Sequence, residues 1–200
     1  MGTLFRLEEE ETTHPWLLHT GWMHTNETQY WLNNIAETVD WIRPIVRVYG
    51  QEHKIPRLTC FIGEQGICYR YSGLTHIASG WPDWFYPLAD KVAKECKVKF
   101  NGCLLNLYRD GSDCMGWHAD DEPEIDQTQP IASLSLGSER DFILKKRDGS
   151  LREVLKLSSG DLLIMLPKCQ DDWLHSVPVR KRNYQRRINL TFRKFITQSD

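Results

Sequence analysis

The 200-residue chain has no Cys-x-x-Cys pair, no internal repeat, no low-complexity tract and no apolar run near the roughly 20 residues that a membrane-spanning helix needs. Each absence excludes something. Without paired cysteine spacing, Cys60, Cys68, Cys96, Cys103, Cys114 and Cys169 read as reduced thiols rather than a disulfide framework or a zinc knot. The longest apolar stretches, such as "DLLIML", exclude a helical membrane span. The opening "MGTLFRLEEEE" lacks a signal-peptide core, so the expectation is a soluble intracellular protein, in the cytoplasm of a prokaryote or the nucleus of a eukaryote. Asn26-Glu27-Thr28 and Asn189-Leu190-Thr191 match the glycosylation pattern, which has no meaning without export.

Excess charge is missing too. The net charge is −2, which argues against a wholesale nucleic-acid coat. Its distribution is uneven. Acid gathers at Glu8 to Glu11 and at residues 120–126, while "VRKRNYQRRINLTFRK" (179–194) carries seven basic residues and no acidic one. That run is either a solvated edge or a phosphate-contacting surface.

What is present suits one domain with elaborations. Apolar residues at helical spacing predict a helix over 26–43 after an Asn or Thr cap, and a second over 84–98 after the turn-forming "SGWPD". From residue 101 the character changes to short β-rich runs at 103–108, 115–120, 130–137, 140–147, 153–159, 161–166, 173–179 and 187–195, separated by "RDGSD", "DEPE", "RDGS" and "SSGD". The expected fold is α+β and mainly β: a double-stranded β-helix (jelly roll) over 101–200, with N-terminal helices and a peripheral segment over 1–44.

"GWHADDE" (116–122) raises the question of chemistry. On a strand, residues i and i+2 share a face, so His118 and Asp120 would project together as two ligands of one metal, or as an ordinary acidic turn beside a histidine. Of the remaining histidines only His175 lies in a late β-run, 57 residues on. His118, Asp120 and His175 would make the two-histidine, one-carboxylate facial triad of non-haem Fe(II) oxygenases. Zinc suits the same ligands, but no base or oxyanion donors for a zinc hydrolase are evident. In "RRINLTFR", Arg187, Asn189, Thr191 and Arg193 alternate onto one strand face. Either that face meets solvent, or its two guanidinium groups point inward to meet an anion such as a dicarboxylate.

Taken together, "NLYRDGSDCMGWHADDE", "PIASLSLGSERDF", "WLHSVPV" and "RINLTFRK" resemble the AlkB family of Fe(II)- and 2-oxoglutarate-dependent nucleic-acid demethylases, over about residues 45–195 and closest to the homologues that repair double-stranded DNA. The resemblance implies that His118, Asp120 and His175 bind Fe(II), and that Asn106, Tyr108, Arg187, Asn189, Thr191 and Arg193 surround the cosubstrate 2-oxoglutarate, which is used with O2. It implies a nucleotide-recognition lid and supporting helix over 45–100. There Tyr69, Arg70 and Tyr71 of "CYRYSG" cover the damaged base with Ser72 nearby, and Val48, Tyr49 and Gly50 form a wedge followed by Arg57 of "IPR". Gln51 departs from the basic residue of the nearest relatives, which weakens the implied duplex grip. Taken alone, a Tyr in "RVYGQ" is as readily a packed strand end as an intercalating wedge. Asp121 and Glu122 would favour cationic N1-methyladenine and N3-methylcytosine, their roles undivided. The implied partner is alkylated DNA, with RNA or single strands as the alternative, bound by a monomer.

Overall fold

The computed structural model describes residues 14–48, 50–71 and 74–197. Its frame is a pair of antiparallel sheets. The larger has the order β1-β12-β9-β14-β7-β4, from Trp16–His19, Leu162–Met165, Ile131–Gly137, Arg187–Arg193, Gly102–Tyr108 and Leu58–Gly63. The smaller has the order β11-β10-β13-β8, from Arg152–Leu157, Arg140–Lys146, Trp173–Val177 and Met115–His118. This is the expected mainly β jelly roll. Two hairpins, β2 (Ile45–Val48) with β3 (Gln51–Lys54) and β5 (Cys68–Tyr71) with β6 (Leu74–Ile77), stand apart from these sheets.

Strand β14 explains why the larger sheet is buried on both faces. Ile188, Leu190 and Phe192, each fully buried, pack with Leu32 and Ile35 of α1 (Thr25–Thr38) and Leu88 and Val92 of α2 (Tyr86–Cys96). Burying each such side chain contributes about 1.5–3 kcal/mol. The alternate residues Arg187, Asn189, Thr191 and Arg193 turn to the opposite face and enter the space between the sheets. Below them Ile131, Leu163 and Met165 meet Phe142, Leu144, Leu157 and Trp173, which closes the sandwich with an apolar plug.

The larger sheet reaches beyond residues 101–200. β1 pairs with β12, sending Leu17 to the helix side and Trp16 and Leu18 to the inter-sheet side. β4 pairs with β7 and gives Leu58, Cys60 and Ile62 to the helix-side core. Both segments are too short and mixed to stand out as strands, and their pairing partners lie far along the chain.

The first helix is shorter than its apolar spacing predicts. It begins after His24, which has an extended backbone and makes no side-chain cap, and it stops at Thr38. Ile42 leaves the helical path to exchange backbone hydrogen bonds with Thr59, drawing the chain onto β4. The second helix ends as Lys97 adopts a left-handed backbone whose N–H reaches the carbonyls of Ala93 and Lys94. A third, short helix, α3 (Pro167–Asp172), was not foreseen; Pro167 opens it and leads directly into β13.

Candidate active site

Strands β8 and β13 pair in a register that sets His118 opposite His175, with ring centroids 4.2 Å apart. β8 ends at His118, so Asp120 does not arrive by strand alternation as expected; it lies in the turn beyond, and its carboxylate comes within 3.8 Å of His118 Nε2. One ligand atom from each of His118, Asp120 and His175 lies within 4.8 Å of the others, a separation that suits a single metal ion.

The protonation states match that use. His118 Nδ1 sits 2.9 Å from the Gly116 carbonyl, which as acceptor places the proton on Nδ1 and leaves Nε2 a lone pair. Burial lowers the pKa of His118, and burial followed by the neighbouring His118 pushes His175 down to about 3, so both rings are neutral at physiological pH. Burial raises the Asp120 carboxyl, yet Arg193 and the two histidines outweigh it and hold it at about 2. Neutral imidazoles and an ionised carboxylate are the metal-binding forms. His175 Nδ1 is buried with no hydrogen-bond partner among the described residues, and its ring stacks on Phe142 at 5.1 Å.

Around this cluster opens a cavity of about 430 Å³ that includes its mouth. β7 and β14 supply Asn106, Tyr108, Arg187, Asn189, Thr191 and Arg193 to its lining, the full predicted set and all inward. Arg187 donates from Nη2 to Ser135 Oγ at 2.9 Å and lies 5.3 Å from the Tyr108 ring centre, but its Nε and Nη1 have no hydrogen-bond partner among the described residues. Burial brings its pKa down to about 10, so it keeps its charge. Arg193 donates from Nη2 to Asp120 Oδ1 at 2.8 Å and likewise leaves Nε and Nη1 unsatisfied. Burial opposes its charge, but Asp120 and then Tyr69 raise its pKa and keep it protonated. Two buried guanidiniums with spare N–H groups call for an anion with several oxygens, and a dicarboxylate fits that need. Asn189 and Thr191 form a chain from Thr191 Oγ1 to Asn189 Oδ1 and from Asn189 Nδ2 to Ser133 Oγ.

The residues expected to handle a substrate are more dispersed. Glu122 is largely buried; Oε1 accepts from the Tyr69 hydroxyl at 2.9 Å, Oε2 has no partner among the described residues, and burial raises its pKa. Tyr69 is not an exposed lid ring. It is fully buried, packed on Phe61 and Phe195, because β5 turns that side chain inward while Arg70 faces out. Asp121 is exposed and accepts from Arg147 Nη2 at 2.7 Å, away from the cavity lining. Arg57 is buried and donates from Nε to Asn106 Oδ1 at 2.8 Å. Gly50 occupies the exposed β2–β3 turn with φ +79°, a conformation that favours glycine. Tyr49, Ser72 and the side chains of Val48 and Tyr71 lie outside the described residues.

The basic run near the end divides in the same way. Arg187 and Arg193 enter the cavity, whereas Arg180, Lys181, Arg182 and Arg186 are exposed on the loop before β14. Sequence reasoning missed four supports of the site: Ser133 and Ser135 bonded to Asn189 and Arg187, Arg140 stacked 5.4 Å from Tyr108, and Gln170 beneath Asp120. The serines were visible as the polar alternation of "IASLSLG"; Gln170 carried no signal.

The chain matches the 2OG-Fe(II) oxygenase superfamily over residues 16–193. It is 40% identical over 159 residues to the mouse DNA oxidative demethylase ALKBH2, covering 76% of this chain and 66% of that protein. It is 39% identical over 183 residues to the Arabidopsis thaliana protein of the same name, covering 78% and 58%. It is also 34% identical over 188 residues to the rat alpha-ketoglutarate-dependent dioxygenase alkB homolog 3, covering 88% and 62%. The chain thus spans about three-fifths of the length of these curated relatives. The solved structure of OsALKBH1 superposes with a TM-score of 0.63 at 20% identity, covering 90% of this chain and 98% of that one, a likeness of fold. The family implies Fe(II) and 2-oxoglutarate, and the triad and the two under-bonded arginines fit both. The chain belongs to the 2OG-Fe(II) oxygenase superfamily, and within it stands with the AlkB homologues.

Proposed function

We propose that this protein removes N-linked methyl groups oxidatively from the bases of alkylated DNA, N1-methyladenine and N3-methylcytosine above all, and restores the base without cutting the strand. The observation that carries the reading is the adjacency, in one cavity, of the His118-Asp120-His175 cluster and the unsatisfied guanidiniums of Arg187 and Arg193. Iron with 2-oxoglutarate and oxygen supplies the oxidant that hydroxylates the N-methyl group, which then leaves as formaldehyde.

The chain's own residues do the rest. His118, Asp120 and His175 hold the metal. Arg187 and Arg193, with Asn106, Tyr108, Asn189 and Thr191, bind and orient 2-oxoglutarate. Glu122, with one oxygen spare and Tyr69 fixing the other, offers a negative acceptor to a methylated base that is cationic at neutral pH, unlike its undamaged counterpart. Val48, Tyr49 and Gly50 are the wedge, Arg57 steadies Asn106 behind it, and Arg70, Tyr71 and Ser72 border the flipped base. Asp121 acts indirectly, through its pair with Arg147. Flipping costs a few kcal/mol, less where methylation already blocks pairing. The exposed cations of the 180–186 loop meet phosphate.

Anaerobic loading with Fe(II) and 2-oxoglutarate, then exposure to air with a methylated duplex, tests the reading. Mass spectrometry should record loss of one methylene mass with matching formaldehyde, and none from His118→Ala. An unchanged oligonucleotide sinks the proposal. A preference for RNA or single strands is the second reading, favoured by the neutral, exposed Gln51 where the relatives' pattern has a cation; turnover on matched duplex, single-stranded DNA and RNA decides between them. The same reading has the protein acting as an intracellular monomer.

A further inference from the structure

Asp120 presents a mechanical problem. β8 stops at His118, so no ladder of backbone hydrogen bonds fixes the residue that supplies the carboxylate ligand. Its position is set from α3 instead. Gln170, itself buried, accepts from the Asp120 N–H through Oε1 at 2.9 Å across 50 residues of chain, and donates from Nε2 to Met165 Sδ at 3.7 Å. On the other side of the same residue, in the next peptide group, Gln127 Nε2 donates to the Asp120 carbonyl at 3.2 Å. A second tie reinforces the first. Arg147 Nη2 donates both to the Gln170 carbonyl at 3.0 Å and to Asp121 Oδ2 at 2.7 Å, so residues 120 and 121 are each fastened to the same point of α3.

We infer that Gln170 is a positioning residue for the metal centre: its side-chain amide holds the Asp120 backbone so that the carboxylate stands at bonding distance with His118 and His175. The amide is the right group for the task. It is neutral, so it adds no charge beside a carboxylate that already has Arg193 as its cation, and both its ends are bonded, so it cannot rotate freely. The inference rests on the metal role of the triad and not on the identity of the substrate. Groups of this kind behind a metal ligand are worth 10–100-fold in metal affinity.

The test is titration of the whole chain with Mn(II), which avoids the oxidation that Fe(II) undergoes in air and whose preference for oxygen ligands makes it sensitive to the Asp120 carboxylate. His118→Ala is measured first; if it binds Mn(II) like the parent, the triad reading fails, irrespective of Gln170. Gln170→Leu, similar in bulk but without an acceptor, should raise the Mn(II) Kd about 10–100-fold, while 2-oxoglutarate at saturating Mn(II) binds as it does to the parent and the metal-free melting temperature is preserved. Gln170→Asn, which withdraws the amide by one methylene, should lose affinity in the same direction and serves if the Leu variant does not fold. Parent-like Mn(II) affinity in the folded variant, or a loss that merely tracks a lower melting temperature, overturns the assignment.

Discussion

Glu122 and Arg187 are charged side chains of opposite sign that partners among the described residues leave incompletely satisfied, and each yields a prediction. Glu122 keeps one oxygen on Tyr69 and one with no partner among the described residues. Glu122→Gln should therefore lower kcat/KM on a duplex carrying N3-methylcytosine about tenfold, or about 1.4 kcal/mol, while Mn(II) binding stays at the parental value; steady-state kinetics and the titration read the two effects separately. Arg187 is a buried cation whose Nε and Nη1 find no acceptor among the described residues. Hydrogen bonds to a charged group are worth about 1.5–3 kcal/mol, so Arg187→Met should raise the KM for 2-oxoglutarate by about 10–100-fold. The same change should leave the cosubstrate-free protein at least as resistant to urea as the parent, because an apolar chain replaces a buried charge that lacks its partner.

Among the elements, β14 carries both jobs of the fold at once, with the core on one face and the cavity lining on the other. Phe192→Ala removes a fully buried ring that stacks with Phe85 and meets Phe100 at a tilt, and should cost about 3–5 kcal/mol in urea unfolding. That two-faced pattern is why this part of the fold was legible: "RINLTFR" alternates residue by residue, and the runs from 102 to 193 are bounded by Gly, Asp and Ser turns. The triad was legible too, since His175 is the one histidine in a late strand, although the strand argument for Asp120 failed where β8 ends two residues early. β1 and β4 were hidden because a four- to six-residue strand takes its meaning from partners that lie far along the chain. Tyr69 misled for a related reason. The pattern "CYRY" gives alternation but not which face is covered, and the cover comes from Phe61 and Phe195. Gln170 contacts a backbone amide, and a contact to backbone leaves no complementary residue type to notice.

At the scale of the whole molecule, charge and ligand occupancy matter more than any single contact. The chain is slightly acidic overall, so the proposed function looks to the exposed cations of the 180–186 loop for contact with phosphate. Lys181→Glu with Arg182→Glu should weaken duplex binding and flatten the dependence of log Kd on log salt by about two phosphate contacts' worth, with little effect on 2-oxoglutarate turnover uncoupled from DNA. Metal and cosubstrate together fill a cavity lined with orphaned polar groups. At 100 times their dissociation constants each contributes about 2.7 kcal/mol, and Mn(II) with 2-oxoglutarate should raise the melting temperature of a chain this size by roughly 10–20 °C; chelation should reverse it. The pairing of His118 with His175 has one more consequence. β8 is an outer strand of only four residues whose sole partner in its sheet is β13. A metal gripping both histidines closes a 57-residue loop as a crosslink would, which for a covalent link is worth about 4 kcal/mol of chain entropy. The ion is then a clasp as well as a reagent: without it the strand is free to peel, and its amides should trade hydrogen for deuterium many times faster than those of β14 beside the helices.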